Sequence, residues 1–347
     1  MVLAIQNCRT SVKCCLLMIA MLQLSVLVGC GPKEGYSGFR GETMGTQYAI
    51  TFKEHPGCEV KKIEIDSLLR TINDKMSTYQ PDSELSLINR QQSPGEFTIS
   101  SELSFVLLAA ESVWHQTDGA FDITIGPLVN LWGFGPSEVV TGPTILEQNQ
   151  VKSRIGMANL AVNSYSLVKK QHGVYVDLSA IAKGYAVDRL SVFLEGRGCN
   201  DHLVDIGGEA KLRGNNPFGE SWKIGIEKPD AGINRIQQIL RLSDIGIATS
   251  GNYRNFRETD LGRVSHVMDP RSGIPSKSRV ASVTVLHDST MMADAYATSL
   301  MVLGYEEGMR LAQKQKLAVY MILEESGGRF EERYNDRMKR YMESDGD

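Results

Sequence analysis

The stretch that most constrains this chain is Val176–Leu190, VDLSAIAKGYAVDRL, where a short apolar run ending in Asp177 predicts a strand and the residues carrying Lys183 predict a helix. An acid and a base are thereby fixed around one strand-to-helix turn. The start of a helix leaves backbone N–H groups without intrahelical partners, so such a corner suits a phosphate, a cation or both. The same residues also suit plain capping, with Asp177 or Ser179 at the helix start and Lys183 in solvent. This stretch alone leaves both readings open.

Two further segments carry reactive side chains at informative spacing. Ser265–Gly273 reads SHVMDPRSG, in which His266 follows a run that predicts a strand and a DPRSG turn comes next. Met291–Gly304 reads MMADAYATSLMVLG; Asp294 and Thr298 are four residues apart, which on a helix puts a carboxylate and a hydroxyl on one face. Taken singly, Asp294 also suits the first turn of a helix as a favourable charge, Thr298 suits a hydroxyl bonded back to the preceding turn, and a lone histidine at a strand end is more often structural.

The N-terminus has a different character. Arg9 and Lys13 precede an apolar run from Cys14 to Val28 that is short for a membrane span and interrupted by Gln23 and Ser25, the pattern of a signal peptide. Leu27-Val28-Gly29-Cys30 resembles a bacterial lipobox, with a small residue directly before the cysteine. It implies removal of residues 1–29, lipidation of Cys30 and anchoring in the bacterial cell envelope facing the periplasm, on the inner or the outer membrane. Residues 30–41, rich in Gly, Pro and charge, read as a tether, and 42–347 as one folded domain without repeats.

Of six cysteines only Cys58 and Cys199 remain in the folded part, so one disulfide at most can form. With no C-x-x-C or H-E-x-x-H, a structural zinc site has no ligand pattern. Loss of Arg9 and Lys13 with the leader takes the net charge from −4 to −6, leaving 35 basic against 41 acidic residues, which gives a nucleic-acid partner no electrostatic support.

Periodicity supplies the fold class. Gln47–Phe52 predicts a strand, and Ile65, Leu68, Leu69, Ile72 and Met76 recur at helical spacing. A helix capped by Ser100 or Ser101 runs to Gly119, and Thr144–Ile155 predicts another. From Leu160 short strands dominate, near 160–163, 166–169, 174–177, 202–206, 221–227, 236–242, 263–268 and 280–286, interrupted by helices at 179–196 and 291–313. Strands in succession with helices in blocks point to an α+β fold with mostly antiparallel sheets, not a doubly wound Rossmann fold. The closing FEERYNDRMKRYMESDGD predicts a surface helix.

Together with ETMGTQY at Glu42–Tyr48, GAFDITIGPLVNLWGFG at Gly119–Gly135, VDIGGEAKLRG at Val204–Gly214 and ATSGNYRNF at Ala248–Phe256, these motifs occur in one order from Glu42 to about Leu303. The ordered set resembles the ApbE family, bacterial FAD:protein FMN transferases. The resemblance implies an ApbE-like catalytic fold over 42–347 and Mg²⁺-dependent transfer of the FMN half of FAD to a threonine of a target flavoprotein, with AMP leaving. It implies Mg²⁺ ligands at Asp294, Thr298 and the carbonyls of Ala180 and Ala297, and His266 as the base acting on the attacking hydroxyl. It implies FAD contacts at Met44, Tyr79, Ala120, Phe121, Asp122, Asp177, Lys183 and, by its backbone, Met268. For Tyr79 and Phe121 plain core packing is the alternative. The acceptors it implies carry a short threonine motif, as in subunits of Na⁺-pumping quinone reductase or Rnf-type complexes. Two other functions fit the same residues: a Mg²⁺-dependent FAD pyrophosphatase, with water replacing the threonine, and a non-catalytic flavin-binding lipoprotein.

Overall fold

A computed structural model describes residues 35–134, 142–229, 235–252, 256–259, 262–265, 267–325 and 328–343. In chain order the strands are β1 (Tyr36–Thr43), β2 (Thr46–Lys53), β3 (Gly95–Thr98), β4 (Leu160–Val162), β5 (Ser166–Lys169), β6 (His202–Ile206), β7 (Glu209–Arg213), β8 (Trp222–Glu227), β9 (Ile236–Leu242), β10 (Ile245–Gly251), β11 (Phe256–Thr259), β12 (Gly262–Ser265), β13 (Met268–Asp269), β14 (Ile274–Pro275), β15 (Val280–His287), β16 (Ala318–Glu325) and β17 (Arg329–Tyr334). The helices are α1 (Lys62–Met76), α2 (Glu84–Arg90), α3 (Ser101–Gln116), α4 (Gly126–Leu131), α5 (Ile145–Lys152), α6 (Ala182–Gly196), α7 (Thr290–Lys314) and α8 (Asp336–Lys339).

An eight-stranded sheet in the order β1-β2-β6-β7-β10-β15-β16-β17 organises the molecule, and every neighbouring pair in it is antiparallel. The expected α+β fold with antiparallel sheets is therefore what forms. Alternation within the strands builds two cores: along β16, Val319, Met321 and Leu323 face one side, while Ala318, Tyr320 and Ile322 face the other. The first side packs against α1, α3, α6 and α7; the second joins residues of the β8–β9 ribbon and Met338 of α8.

Local chemistry sets the helix ends. Ser100 accepts a hydrogen bond from the Leu103 N–H at 3.3 Å, the N-cap expected for α3, and Gly119 follows its end at φ 78°, a conformation that favours glycine. Thr144 and Glu147 form a reciprocal capping box on α5. The start of α7 is held twice: Ser289 caps it from within, and Asp188 of α6 accepts from Ser289 Oγ at 2.7 Å, Thr290 N at 2.9 Å and Met291 N at 3.0 Å. Beside this cap, a Cβ on Gly184 would lie 2.4 Å from the Thr290 carbonyl oxygen, so glycine there permits the close crossing of α6 and α7. Cys58 and Cys199 form a disulfide across 141 residues, joining the segment before α1 to the loop after α6. By chain entropy such a closure contributes about 5 kcal/mol.

Five expectations change. Residues 174–177 are extended but belong to no strand: Val176 exchanges both backbone hydrogen bonds with the Asn89 side chain, and Asp177 N donates to Ile123 O. Residues 36–41, expected in the tether, pair along β2 as β1. The stretch expected as the closing helix begins in β17 on the edge of the sheet, and only Asp336–Lys339 in it is helical. The helix expected over 179–196 begins at Ala182, after a turn, and the strand expected at 263–268 divides into β12 and β13 around His266, which lies outside the described residues. Cys30 and the rest of residues 1–34 also lie outside them.

Replacing Asp188 with Ala removes three hydrogen bonds to the start of α7, two of them to backbone N–H groups. The expected cost is about 2 kcal/mol in denaturant unfolding. A second test concerns Asp205 on β6, where burial pushes the carboxyl up to about 6, with the Gly208 N–H opposing. Its folded value lies above the ordinary 3.8, so ionisation costs stability progressively from pH 4 to 6 and fully above. Asp205→Asn should therefore raise stability by about 3 kcal/mol at pH 8, with the gain vanishing below pH 3.

Candidate functional site

The corner read from Val176–Leu190 opens on a cavity of about 790 Å³. Its wall is assembled from distant segments: the turn at Ser179–Ala180 and Lys183 of α6, Gly207 and Glu209 at the β6–β7 hairpin, Thr249–Gly251 at the end of β10, Asp294 and Thr298 of α7, and Ala120–Ile123 with part of α4. Tyr79, Asp177 and Met268 complete the set of expected residues on the wall.

Asp294 and Thr298 share the cavity-facing side of α7, as their spacing predicts. Thr298 Oγ1 lies 3.3 Å from Ser250 Oγ. Asp294 is 2% exposed; its Oδ2 accepts from the Gly184 N–H at 3.1 Å, and its Oδ1 lies 3.7 Å from Lys183 Nζ. Lys183 reaches a second carboxylate more closely, Glu209 Oε1 at 3.1 Å. The capping alternative for Lys183, a solvated side chain, therefore does not hold, whereas Asp177 does cap its turn, accepting from Ser179 N at 2.9 Å.

Burial shifts all three charges. Burial alone would lower the Lys183 ammonium, but the Asp294 and Glu209 charges outweigh it and hold its pKa above the ordinary value. Burial pushes the Glu209 and Asp294 carboxyls up, with Lys183 opposing in both cases. Glu209 is 4% exposed, and its Oε2 has no hydrogen-bond partner among the described residues. Two carboxyl groups thus share one ammonium, an arrangement left with acceptor capacity to spare.

Other expected residues separate by environment. Tyr79 is 74% exposed, which excludes core packing, while Phe121 is buried in the main core and still reaches the wall. Asp122 is spent locally: Oδ1 accepts from Thr124 N at 2.7 Å and Oδ2 from Met157 N at 3.2 Å, and burial raises its pKa against these bonds. Met44, at φ 49° in the β1–β2 turn, lines a different cavity of about 850 Å³ to which Tyr79 also belongs. Ala297 is fully buried against the core, one position round the helix from Thr298, and is not on the wall. Glu209 and Thr249 lie on the wall without having been assigned roles from sequence. Glu209 stands in the VDIGGEAKLRG motif, where its place directly after the Gly-Gly turn was the available signal.

The donor set suits a hard cation. The Asp294 carboxylate, the Thr298 hydroxyl and the Ala180 carbonyl all offer oxygens, as Mg²⁺ prefers. Among the described residues no group of three or more His, Cys, Asp or Glu converges. A cation here would thus share its coordination with backbone carbonyls, waters and ligand phosphates, which is how Mg²⁺ is commonly held.

Comparison with known proteins identifies the family. The ApbE family model matches residues 44–321. The chain is 42% identical to the FAD:protein FMN transferase of Vibrio cholerae serotype O1, over 94% of this chain and 98% of that one, and 37% identical to the protein of the same name in Escherichia coli K12, over 88% and 89%. Among solved structures it superposes on the flavin transferase ApbE of Vibrio cholerae with a TM-score of 0.82, at 42% identity over 88% of this chain and 99% of that one. The apo flavinyl transferase ApbE of Pseudomonas stutzeri gives a TM-score of 0.80, at 33% identity over 88% and 96%. With the family model spanning most of its length and relatives matching nearly end to end, this chain belongs to the ApbE family.

Proposed function

We propose that this protein is an FAD:protein FMN transferase that moves the FMN moiety of FAD to a threonine hydroxyl of an acceptor flavoprotein, with Mg²⁺ as cofactor. The observation that carries this reading is the convergence, in one cavity, of Asp294, Thr298, Ala180 and Lys183 from two separate helical segments. Asp294, Thr298 and the Ala180 carbonyl would hold Mg²⁺. When bound, the ion draws charge from the pyrophosphate oxygens and lowers the repulsion that an oxygen nucleophile meets.

The chain's own residues orient the substrate. Phe121 and Tyr79 offer aromatic surface to a flat ring, and Ala120, Ile123 and Met301 add apolar wall beside it. In the transfer, the threonine oxygen bonds to the FMN-side phosphorus, the phosphoanhydride bond breaks, AMP departs and the hydroxyl proton passes to a base. The family resemblance gives that role to His266. Phosphorus transfer of this kind is catalysed by position and electrostatics more than by covalent chemistry, which fits a site built on rigid helix and strand ends.

We also propose that the protein acts in the bacterial cell envelope, facing the periplasm and anchored through a lipidated Cys30. The Cys58–Cys199 disulfide supports an oxidising compartment. Cys30→Ser is expected to leave the leader uncleaved and the protein without lipid, read by intact mass; a lipidated mature form of that variant would overturn the anchor.

The transfer itself is tested by mass spectrometry of an acceptor flavoprotein incubated with this protein, FAD and Mg²⁺. A mass gain of one FMN on a threonine is expected, and AMP release without that gain would establish a pyrophosphatase instead. Asp294→Ala should lower transfer about 100-fold or more through loss of the cation. FAD binding should persist, since the flavin contacts lie on other segments; transfer at the wild-type rate would remove Asp294 from the metal site.

A further inference from the structure

The charge arrangement at Lys183 raises a question that the transfer reaction alone does not answer. An ammonium beside a metal-binding carboxylate competes with the metal for it. Lys183 Nζ lies 3.7 Å from Asp294 Oδ1, near enough to neutralise the side chain proposed to take Mg²⁺. A lone Lys–Asp pair here would sum to zero charge and hold a cation poorly.

Glu209 changes that balance. Its Oε1 is the nearer partner of the ammonium, at 3.1 Å, and it approaches from the β6–β7 hairpin, on a different element from Asp294. Glu209 lines the same cavity, and its other oxygen is buried with no partner among the described residues, so the carboxylate carries more acceptor capacity than Lys183 uses. The Gly184 N–H meanwhile fixes Asp294 through Oδ2. With both carboxyls ionised, Asp294, Glu209 and Lys183 sum to one negative charge.

We infer that Glu209 is a positioning residue: it holds the Lys183 ammonium and so leaves Asp294 its negative charge for the cation. This rests on the metal site proposed above and adds to it a residue that acts through Lys183, without itself being a ligand. It also accounts for a carboxylate in a cavity whose substrate is anionic, where an unpaired Glu209 would repel phosphate. The benefit to the cation outweighs that repulsion because the ammonium between the two carboxylates absorbs one of the charges.

Charge counting supplies the test. The three side chains sum to −1 in the wild type, to 0 in Glu209→Gln and to −1 again in the double variant Glu209→Gln, Lys183→Met. Mn²⁺ binding to each FAD-loaded protein can be followed by loss of the free-ion signal in electron paramagnetic resonance, with unfolding curves checking the fold. The expected result is about tenfold or more weaker Mn²⁺ binding in Glu209→Gln and recovery of most of it in the double variant. A purely structural defect at Glu209 would not be repaired by removing its partner. Unchanged Mn²⁺ affinity in Glu209→Gln overturns the inference, as does a double variant that binds as weakly as the single. A wild type that fails to bind Mn²⁺ instead overturns the metal site on which the inference stands.

Discussion

The crossing of α6 and α7 at Gly184 is the contact on which the site depends. No side chain fits between that glycine and the Thr290 carbonyl, and the same residue's N–H is the donor that fixes Asp294. Asp188, one turn further along α6, takes hydrogen bonds from the first residues of α7. One short segment, AKGYAVD, thereby sets both the distance between the helices and the angular position of Asp294 and Thr298. Gly246 of β10 repeats the constraint from the sheet side, since a Cβ there would lie 2.5 Å from Thr290 Oγ1. The start of α7 is closed in from two directions, so the reactive pair inherits the rigidity of the core.

That rigidity permits an arrangement which would otherwise relax away. Two nearly buried carboxylates with a single ammonium are costly in a low-dielectric interior, and flexible surroundings would let one of them turn to water. Here Asp294 is anchored to backbone and Glu209 begins a strand paired on both sides of the sheet's interior, so neither can leave. The folded protein carries the cost of this arrangement, which the proposed cation would offset on binding. Stability and function oppose one another at this point, as they commonly do at active sites.

Much of this was legible in the sequence. The i, i+4 spacing of Asp294 and Thr298 put both on one face, the helix expected from Ser100 or Ser101 is capped by Ser100, the helix expected over Thr144–Ile155 forms as α5, and the fold class followed from runs of short strands. What escaped notice has physical causes. The run Val174–Asp177 has a strand's composition, but its backbone groups are satisfied by Asn89 and Ile123, and no local pattern reveals a side chain that replaces a neighbouring strand. Residues 36–41 carry glycine and charge because β1 is an edge strand, half exposed, and so they resemble a tether.

Glu209 was missed for a more general reason. In β7 the alternation of Ala210 and Leu212 with Glu209 and Lys211 reads as one buried face and one wet face. That reading assumes a sheet covered on one side, yet this sheet has a core on each: Ala210 and Leu212 belong to the smaller, while the opposite face meets α6 and α7. Under two-sided cover a polar residue in the alternating position is not solvated but enclosed, and it must find a partner or a function. Half-exposed Lys211 reaches the Asp288 carbonyl before α7, and buried Glu209 finds Lys183 with one oxygen while the other has no partner among the described residues. Polar positions on the inner side of a doubly covered sheet are therefore where an unassigned functional carboxylate would be sought, and the burial of the whole sheet, invisible in any one strand, is what makes Glu209 part of the site.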